Sequence, residues 1–399
     1  MNITNLKSLS VAVNPLSVID RIIAELELTY TQYKDAVKSY ESVAAVLKNI
    51  HPSLEITIFP QGSMRLGTTV RPIQGERFDL DIICLITLSG IIYKPEQIFN
   101  LVWNALSQDE TYRHLCKKKN RCIRLEYADG RKFYLDVTPA VPDWMQNGSL
   151  YVPDRELKIW CSSHPIGFCD SWFKKACEIL PTIRRPVFLN ASASATALAN
   201  RATVEPMPEY GAFEKTPLQR IVQMLKRDRD EYFQNDTDHR PSSILLTTIT
   251  THSYSYFVNE PAADLLEFVV KVVAKLPEYI NAVGTVGFRK FSIANPANPI
   301  ENFADGWTEE HYQHFLVWHK RFADVLQKVH QSRGRGLGMD EMLKTLAVTF
   351  GNDRVIRAAK TLGADTNALH DVGKLRGMGG TLGAIGTTVP KTIYFGGEK

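Results

Sequence analysis

Apolar residues recur at helical spacing near the start of the chain, and shorter alternating runs follow them. From residue 16 to 50, apolar side chains such as Ile19 and Ile22 repeat every three or four positions, which predicts one long amphipathic helix. The stretch 54–59 alternates apolar and polar positions and predicts a strand. A second strand is predicted over 77–86, because its later half is apolar throughout, as in strands buried on both faces.

The next segments predict a helix followed by a hairpin. Residues 95–114 have helical periodicity. Two alternating runs, 121–127 and 132–137, flank Asp129-Gly130, and Asp-Gly between such runs is a strong hairpin signal. The order helix, strand, strand, helix, hairpin indicates a mixed α/β module rather than a repeat of βαβ units.

The second half of the chain is predicted to be helical. Residues 185–217 are rich in proline and small side chains and predict an irregular crossover between lobes. Further helices are predicted over 217–233, 242–257, 262–275, 309–333 and 339–350. We therefore predict a core lobe at 1–200, a helical lobe at 201–376 and a Gly- and Thr-rich tail at 377–399 that is loop or weakly ordered.

Composition limits the class of protein. The 399 residues are 44% hydrophobic and 23% charged, with a net charge of +4, which is ordinary for a globular protein and does not by itself indicate nucleic-acid binding. No run of 18 apolar residues predicts a membrane span, and the N-terminus lacks the apolar core of a secretory signal. The six cysteines form no C-x-x-C pair, so we expect a cytoplasmic protein with reduced thiols.

Two clusters have alternative interpretations. The first is Cys161, His164, Cys169 and Cys177, which have metal-binding side chains but unusual spacing; buried reduced thiols are favoured over zinc. The second is a basic run that is either a solvated loop leading into a strand or a surface facing phosphates. Its members are Lys117, Lys118, Lys119, Arg121 and Arg124.

Three aspartates on predicted strands indicate a metal site. Asp79 and Asp81 are two residues apart and therefore project from the same face of their strand. Two carboxylates so close together repel each other unless a cation bridges them, and Mg²⁺ prefers carboxylate and phosphate oxygens. Asp136 lies on a separate strand among apolar residues, where an unpaired carboxylate is costly. Together the three predict a two-metal site.

Gly62-Ser63 supplies a complementary phosphate-binding element. It follows the first predicted strand directly, after Gln61. Glycine lets the backbone approach a phosphate closely, and a serine at a helix start donates hydrogen bonds beside the helix dipole. Neither Gly-Ser nor Asp-x-Asp is specific alone; their order along the chain is what indicates nucleotidyl transfer.

With these motifs the sequence resembles the polymerase-β-like nucleotidyltransferases, and more closely the cGAS- and DncV-like nucleotidyltransferases of bacterial antiphage signalling systems. The resemblance spans roughly residues 15–320. The matching segments are Gln61-Gly62-Ser63, Arg71-Pro72, Phe78-Asp79-Leu80-Asp81, Leu135 to Pro142, Pro217 to Arg220, Leu225-Lys226-Arg227, Ser242-Ser243-Ile244, Asn295 to Pro299 and Glu301-Asn302-Phe303.

The resemblance implies an α+β fold: a bilobed polymerase-β-like core with a mixed sheet and a long N-terminal helix, plus a helical C-terminal lobe of oligoadenylate-synthase type. It implies an enzyme that condenses ribonucleoside triphosphates such as ATP and GTP into a cyclic di- or trinucleotide second messenger. Two Mg²⁺ ions, with Mn²⁺ as an alternative, are expected at Asp79, Asp81 and Asp136, where Asp136 helps to withdraw the proton of the acceptor hydroxyl. Lys226 with Ser242 or Ser243 would bind the triphosphate, although a salt-bridged helix face and a helix cap are the competing interpretations.

Partners and rival functions also follow from the resemblance. The product would activate an effector protein of the same defence system. The zinc insertion of the vertebrate DNA-sensing members has no match here, so no obligatory DNA activator is expected. One alternative is an RNA or tRNA 3′-end nucleotidyltransferase of the poly(A) polymerase type, which would use the basic run as its RNA track. Another is a catalytically silent nucleotide-sensing module.

Overall fold

The structure is a computed structural model that describes residues 15–51, 54–73, 76–87, 93–127, 133–146, 148–156, 158–184, 204–208, 215–332, 339–371, 376–378, 381–383 and 387–388. The helices are α1 (Pro15–Ala24), α2 (Tyr30–Lys48), α3 (Gly62–Leu66), α4 (Pro95–Gln108), α5 (Lys174–Glu178), α6 (Pro217–Tyr232), α7 (Ser243–Phe257), α8 (Leu265–Ala274), α9 (Glu309–Ser332), α10 (Met339–Phe350) and α11 (Asn352–Asp371). Within the described ranges, no helix is both long and apolar enough to cross a membrane.

The first half of the chain builds the main sheet. Its strands are β1 (Glu55–Pro60), β2 (Phe78–Thr87), β3 (Cys116–Lys118), β4 (Ile123–Glu126), β5 (Phe133–Pro142), β6 (Leu150–Asp154) and β7 (Ile159–Ser163). The order is β1-β2-β5-β4-β3, and β6 pairs with the end of β5 and with β7. Only the central pair, β2 with β5, is parallel among these pairings. The sheet is therefore mixed, as predicted.

The remaining strands are short and lie in the second half. They are β8 (Asn281–Val283), β9 (Lys290–Ser292), β10 (Ala294–Asn295), β11 (Asn298–Asn302), β12 (Arg376–Met378), β13 (Thr381–Gly383) and β14 (Thr387–Thr388). The first four form two hairpins, β8 with β9 and β10 with β11. The prediction that the chain from residue 377 is a loop is wrong for the described part, because β12 pairs antiparallel with both β13 and β14.

Two large hydrophobic cores correspond to the two lobes. One lies between the main sheet and helices α2 and α4. The other lies among α6 to α11 and also includes α1 and the segment 167–178. Helix α3 contributes to both, because Met64 packs in the first core and Leu66 in the second. The predicted lobe boundary at residue 200 stays a prediction, since 185–203 lie outside the described residues.

The prediction of one long helix over 16–50 is wrong. The chain forms α1 and α2, separated by residues 25–29. The backbone carbonyls of Leu26 and Glu27 accept hydrogen bonds from Arg71, at 2.6 Å from its amide and 2.9 Å from its Nε, and not from amides of a continuing helix. Thr29 then starts α2 with a capping box, in which its Oγ1 accepts from the Gln32 amide at 3.2 Å. The helical periodicity of the sequence continues through residues 25–29, although the helix is broken there. Hydrogen bonds from the distant Arg71 stabilise the break.

Most other elements are confirmed. The strands predicted at 54–59 and 77–86 and the antiparallel pair that follows are present, although the hairpin turn is outside the described residues. The five helices predicted from 217 to 350 are present within a few residues. The helix predicted over 95–114 ends at Gln108, because Asp109 is extended and its side chain accepts from the Thr111 amide at 2.9 Å. Helix α11 was not predicted.

Replacing Thr29 by Ala is expected to destabilise the protein by about 1 kcal/mol, because α2 would lose the hydroxyl that accepts from its first turn. Urea unfolding of the full chain measures this change. Thr31→Ala is the matched control, since Thr31 is exposed inside the same helix and caps nothing. Equal stability of both variants would show that the break between α1 and α2 does not depend on this cap.

Candidate active site

The three predicted aspartates meet where β2, β5 and β4 lie side by side. In the parallel pair, Asp81 lies opposite Asp136, and in the antiparallel pair Arg124 lies opposite Asp136. Arg124 donates to both oxygens of Asp136, at 2.8 and 2.7 Å, and to Asp79 Oδ1 at 3.0 Å. One guanidinium thus pairs with two carboxylates and offsets one of their two negative charges.

Asp81 is the carboxylate that Arg124 does not reach. Its side chain makes no hydrogen bond or ion pair with any residue that the structure describes. Removal from water, together with the negative charges of Asp79 and Asp136, raises its pKa to about 7 against the lowering effect of Lys226 and Arg124. Loss of hydration likewise raises the pKa of Asp79, against the opposing effect of Arg124. Converging carboxylate oxygens with one unpaired member fit the ligand set that a hard divalent cation prefers.

Gly62 is required at its position because it touches Asp81. Its φ of +58° lies in the left-handed region. A Cβ on Gly62 would lie 2.5 Å from Asp81 Oδ2, closer than nonbonded atoms approach. The Gln61 amide donates to the Asp81 backbone carbonyl at 2.9 Å, which fixes the start of α3 against β2. The Gly-Ser element therefore packs directly against the strand that carries Asp79 and Asp81.

Side chains of α6 hold the segment that follows α3. Gln219, Gln223 and Lys226 lie at successive helical turns and donate to backbone carbonyls of the segment 66–69, at 2.8, 2.9 and 2.9 Å. Burial lowers the pKa of Lys226 to about 8, against the raising effect of nearby aspartates. The helical lobe thereby positions α3, and it presents the Lys226 ammonium to the aspartates.

A second contact between distant segments holds α3 from its other side. Arg65 donates to both oxygens of Asp170, at 3.0 and 2.6 Å, and to Glu205 Oε2 at 3.0 Å. The Arg65 side chain is only 10% exposed. A bidentate pair whose arginine is largely buried fixes orientation as well as position. The five-residue helix that carries Gly62 and Ser63 therefore has little freedom to move.

Two cavities meet at this site. The first, of about 430 Å³, lies between β2, α3 and α6–α7. The second, of about 580 Å³, lies between α3, β7 and β10–β11. Both are lined by Gly62, Leu66, Asp81 and Ile244. Two neighbouring cavities that share the carboxylate of Asp81 are suited to joining two bound molecules.

The predicted site residues are distributed over both cavities. Those lining the first are Gly62, Ser63, Asp79, Asp81, Lys226, Ser242 and Ser243, and Gln61 lines the second with Gly62 and Asp81. Asp136 lines neither and contacts Arg124 behind Asp79. Ser242 caps α7 by accepting from the Leu245 amide at 3.4 Å, whereas Ser243 Oγ accepts from Arg229 at 3.1 Å. Capping leaves Ser242 in the cavity wall, so the two interpretations of this residue are compatible.

Sequence reasoning did not identify several charged residues of the first cavity. Arg229, Asp230 and Arg240 line it, and Arg229 Nη1 also donates to the Pro241 carbonyl at 2.9 Å. Arg229 and Asp230 follow Lys226 on α6, but their alternating charges gave no basis for choosing among them. Arg124 was placed in the basic run, and its role beside Asp79 depends on strand pairing that the sequence does not state.

The wall of the second cavity is built by the hairpin β10–β11. Glu301 accepts from Asn295 Nδ2 at 2.7 Å and from Ser163 Oγ on β7 at 3.0 Å. Asn298 Nδ2 donates to Ser162 Oγ at 2.7 Å. The Asn-Pro-Ala-Asn-Pro motif singled out in the sequence thus joins the helical half of the chain to β7.

The structure shows the surroundings of the two clusters that had alternative interpretations, the Cys/His cluster and the basic run. Cys169 and Cys177 are buried free thiols, while Cys161 is partly exposed and His164 Nδ1 accepts from the Gly167 amide. Within the part of the chain that the structure describes, these four side chains form no metal-binding group. In the basic run, three members are paired with carboxylates: Lys117 with Glu126, Arg121 with Asp154, and Arg124 with Asp136.

Gly62→Ala is expected to destabilise the protein by at least about 2 kcal/mol. A left-handed backbone costs roughly 1–2 kcal/mol for a residue with a Cβ, and the clash with Asp81 adds to that cost. The control is Gly306→Ala, because Gly306 also has a positive φ, +83°, but a Cβ there would meet no atom within 4 Å. Denaturant unfolding should show a clearly larger loss for Gly62→Ala. Equal losses would mean that the approach to Asp81 is not constrained.

Without divalent metal, Asp81 should make the protein less stable as pH rises. Its pKa is raised from 3.8 to about 7 on folding, so the folded state binds more protons in that window and stability is lost as pH increases through it. Asp81→Asn removes this titration. In EDTA, the variant should gain stability relative to the wild type between about pH 4 and about pH 8. Asp324→Asn is the control with the opposite sign, because its pKa is lowered by Lys320; a pH-independent difference for Asp81→Asn would contradict the assignment.

Comparison with known proteins assigns the chain to a family. Residues 16–176 match the model of the Second Messenger Oligonucleotide or Dinucleotide Synthetase domain. A curated protein of Roseivirga ehrenbergii, named c-di-GMP synthase, is 32% identical over 373 residues, which are 92% of this chain and 90% of that protein.

Solved structures show the same fold. The CD-NTase CdnG of Bradyrhizobium diazoefficiens, in complex with GTP, superposes with a TM-score of 0.64 at 20% identity, covering 87% of this chain and 98% of that one. Vibrio cholerae DncV, a cyclic AMP-GMP synthase, superposes with a TM-score of 0.52 at 17% identity over 89% and 91% of the two chains. Given the relative of 32% identity over nearly its full length, the chain belongs to the CD-NTase family and is a nucleotidyltransferase of cyclic oligonucleotide second messenger synthesis.

Proposed function

We propose that the chain joins two molecules of GTP into cyclic di-GMP for antiphage signalling. In each of two transfers, a ribose hydroxyl of one nucleotide attacks the α-phosphate of the other, a P–O bond forms, and pyrophosphate leaves. The observation that carries the proposal is the junction of two cavities at Gly62 and Asp81. The choice of GTP and of a dinucleotide product is supported by the 32% identity to a c-di-GMP synthase.

The first cavity is the proposed site of the donor triphosphate. Ser63, Ser242 and Ser243 give hydroxyls to its wall, and Lys226 supplies an ammonium. Because Lys226 is buried and donates to the Thr68 carbonyl at 2.9 Å, its charge is held in one place before a nucleotide arrives. A fixed positive charge in a partly dehydrated cleft stabilises a phosphate more than a mobile one does.

The aspartates are the proposed metal ligands. CD-NTases are generally metal-dependent, and here Asp79, Asp81 and Asp136 would hold two Mg²⁺ ions, or Mn²⁺ in their place. Bound there, the ions supply polarisation of the attacking hydroxyl and charge neutralisation of the triphosphate. Arg124 orients the carboxylates of Asp79 and Asp136, and each carboxylate keeps lone pairs for a further ligand.

The second cavity is the proposed acceptor site. Gln61, Arg121, Asn295 and Glu301 offer donors and acceptors in its wall, and a mixed set of this kind can hydrogen-bond a base edge or a ribose. Burial raises the pKa of Glu301, while Asn295 and Ser163 keep its orientation fixed. After the first transfer, the linear intermediate would turn so that its other end enters the donor cavity.

The rival functions have less support. For an RNA 3′-end transferase, the basic run would have to bind a polynucleotide, but one of its members, Arg124, is hydrogen-bonded to Asp79 and Asp136. A silent sensor has no use for three converging aspartates. The proposed partners are nucleoside triphosphates and an effector protein that binds the product, with no obligatory DNA activator.

Asp79→Asn and Asp81→Asn should each lower product formation on the order of 10³-fold or more, because preorganised charge is the largest contribution to such catalysis. The assay incubates the full chain with an equimolar mixture of the four NTPs and Mg²⁺ and identifies products by mass spectrometry. Cyclic di-GMP without added RNA is the expected product.

Asp324→Asn, on the surface of α9, is the control and should retain full synthesis. Undiminished synthesis by both site variants would overturn the assignment of the aspartates. Products that contain adenine, or that require RNA, would overturn the substrate assignment and leave the aspartates in place.

A further inference from the structure

Three metal-binding side chains meet outside the catalytic cleft. Asp236 and His239 lie in the loop that joins α6 to α7, and His314 lies on α9. Asp236 Oδ1 is 2.7 Å from His239 Nδ1, and its Oδ2 is 2.8 Å from His314 Nδ1. One ligand atom of each residue lies within 4.8 Å of the other two. We infer that this cluster binds a divalent transition metal ion of the Zn²⁺ class.

The donor atoms decide which metal fits. Two imidazole nitrogens and one carboxylate oxygen are ligands of Zn²⁺ and its neighbours, whereas Mg²⁺ prefers oxygen alone. With metal–ligand distances of about 2.0–2.1 Å, tetrahedral ligand atoms lie roughly 3.3 Å apart. The hydrogen-bonded contacts at 2.7 and 2.8 Å would therefore open by about half an ångström. All three side chains are only partly buried, which leaves room for that adjustment and for entry of the ion.

The surroundings of the cluster fit a bound metal. The rings of His239 and His314 are stacked, with centroids 4.0 Å apart and an angle of 29°. Two positively charged imidazoles so close together repel each other, whereas two neutral ones can share one ion. Glu310 Oε1 lies 3.6 Å from His239 Nε2, the ring nitrogen opposite the proposed ligand. That separation is just beyond hydrogen-bond distance, so Glu310 would have to move closer to act as the carboxylate partner that metal-bound histidines commonly have.

The site would connect two elements of the helical lobe. The loop between α6 and α7 also supplies Thr237, Arg240 and Pro241 to the wall of the first cavity. An ion held by Asp236, His239 and His314 would tie this loop to α9. Its role would be to hold the cavity wall, and no reacting group of the proposed transfer lies in the cluster.

Calorimetric titration of the full chain with Zn²⁺ tests the inference. The protein is first stripped of metal with a chelator. Excess Mg²⁺ is then added to fill the sites whose ligands are all oxygen atoms. The wild type should bind one Zn²⁺, and the Asp81→Asn variant should bind it equally. His314→Ala and His239→Ala should weaken binding by more than about tenfold, since even outer partners are worth about 10–100-fold. Glu310→Gln should weaken it by roughly tenfold. His330→Ala, farther along α9, is the control and should bind as the wild type does.

Thermal melting gives an independent readout, because an ion that binds only the folded state raises the melting temperature. Zn²⁺ should raise it for the wild type and for His330→Ala, but not for His314→Ala. His314→Asn, which can still donate to Asp236, replaces the Ala variant if that variant does not fold. The inference would be overturned if the wild type did not bind Zn²⁺. It would also be overturned if the His314 and His239 variants bound Zn²⁺ with the same affinity as the wild type. Neither measurement uses nucleotides, so the outcome is separate from that of the proposed function.

Discussion

The contact between α6 and the backbone after α3 is the interaction on which the active cleft depends. Gln219, Gln223 and Lys226 donate to carbonyls of the segment 66–69 that have no helix or strand to satisfy them. Each such bond contributes about 0.5–1.5 kcal/mol, and an unsatisfied buried carbonyl would cost about 1–3 kcal/mol. The helical lobe is therefore required for the geometry of Gly62, which follows β1 in the other lobe. Arg65, paired with Asp170 and Glu205, makes the same connection from the opposite side.

The crowding of carboxylates is the second constraint. Strand pairing brings Asp81 beside Asp136, and a single guanidinium, Arg124, balances Asp136 and Asp79. Among the described residues Asp81 has no hydrogen-bond or ion-pair partner, and its pKa is raised first by burial and then by the charges of Asp79 and Asp136. Such a site favours cation binding, because a divalent ion removes a penalty that folding has created. Gly62 lies against the same carboxylate and limits how far Asp81 can turn away.

In the proposed function, the two cavities have different roles. The first is lined by Lys226, Ser242 and Ser243, which suit phosphate, and the second is walled by a hairpin carrying Asn295 and Glu301, which suit a base or ribose. The residues named here come from the second half of the chain, whereas the aspartates and other parts of both walls, such as α3 and β7, come from the first half.

The sequence by itself determined the local elements and the class of chemistry. Alternation and periodicity located the strands that carry Asp79, Asp81 and Asp136 and the helix that carries Lys226, because side-chain direction along a strand or helix follows from its repeat. The order of the motifs then indicated nucleotidyl transfer. Patterning failed at the break between α1 and α2, where hydrogen bonds from the distant Arg71 decide the structure. It also missed the paired strands after residue 376 and helix α11.

Only the tertiary structure decided which charges meet. Arg124 could be assigned to Asp79 and Asp136 only after β4 was paired with β5, and the cluster of Asp236, His239 and His314 forms because α9 returns beside the loop after α6. Apart from Asp236 and His239, which are three positions apart, these contacts join residues that are 12 to 78 positions apart. The spacing of residues along a sequence carries no information on such meetings, since they follow from how whole elements pack.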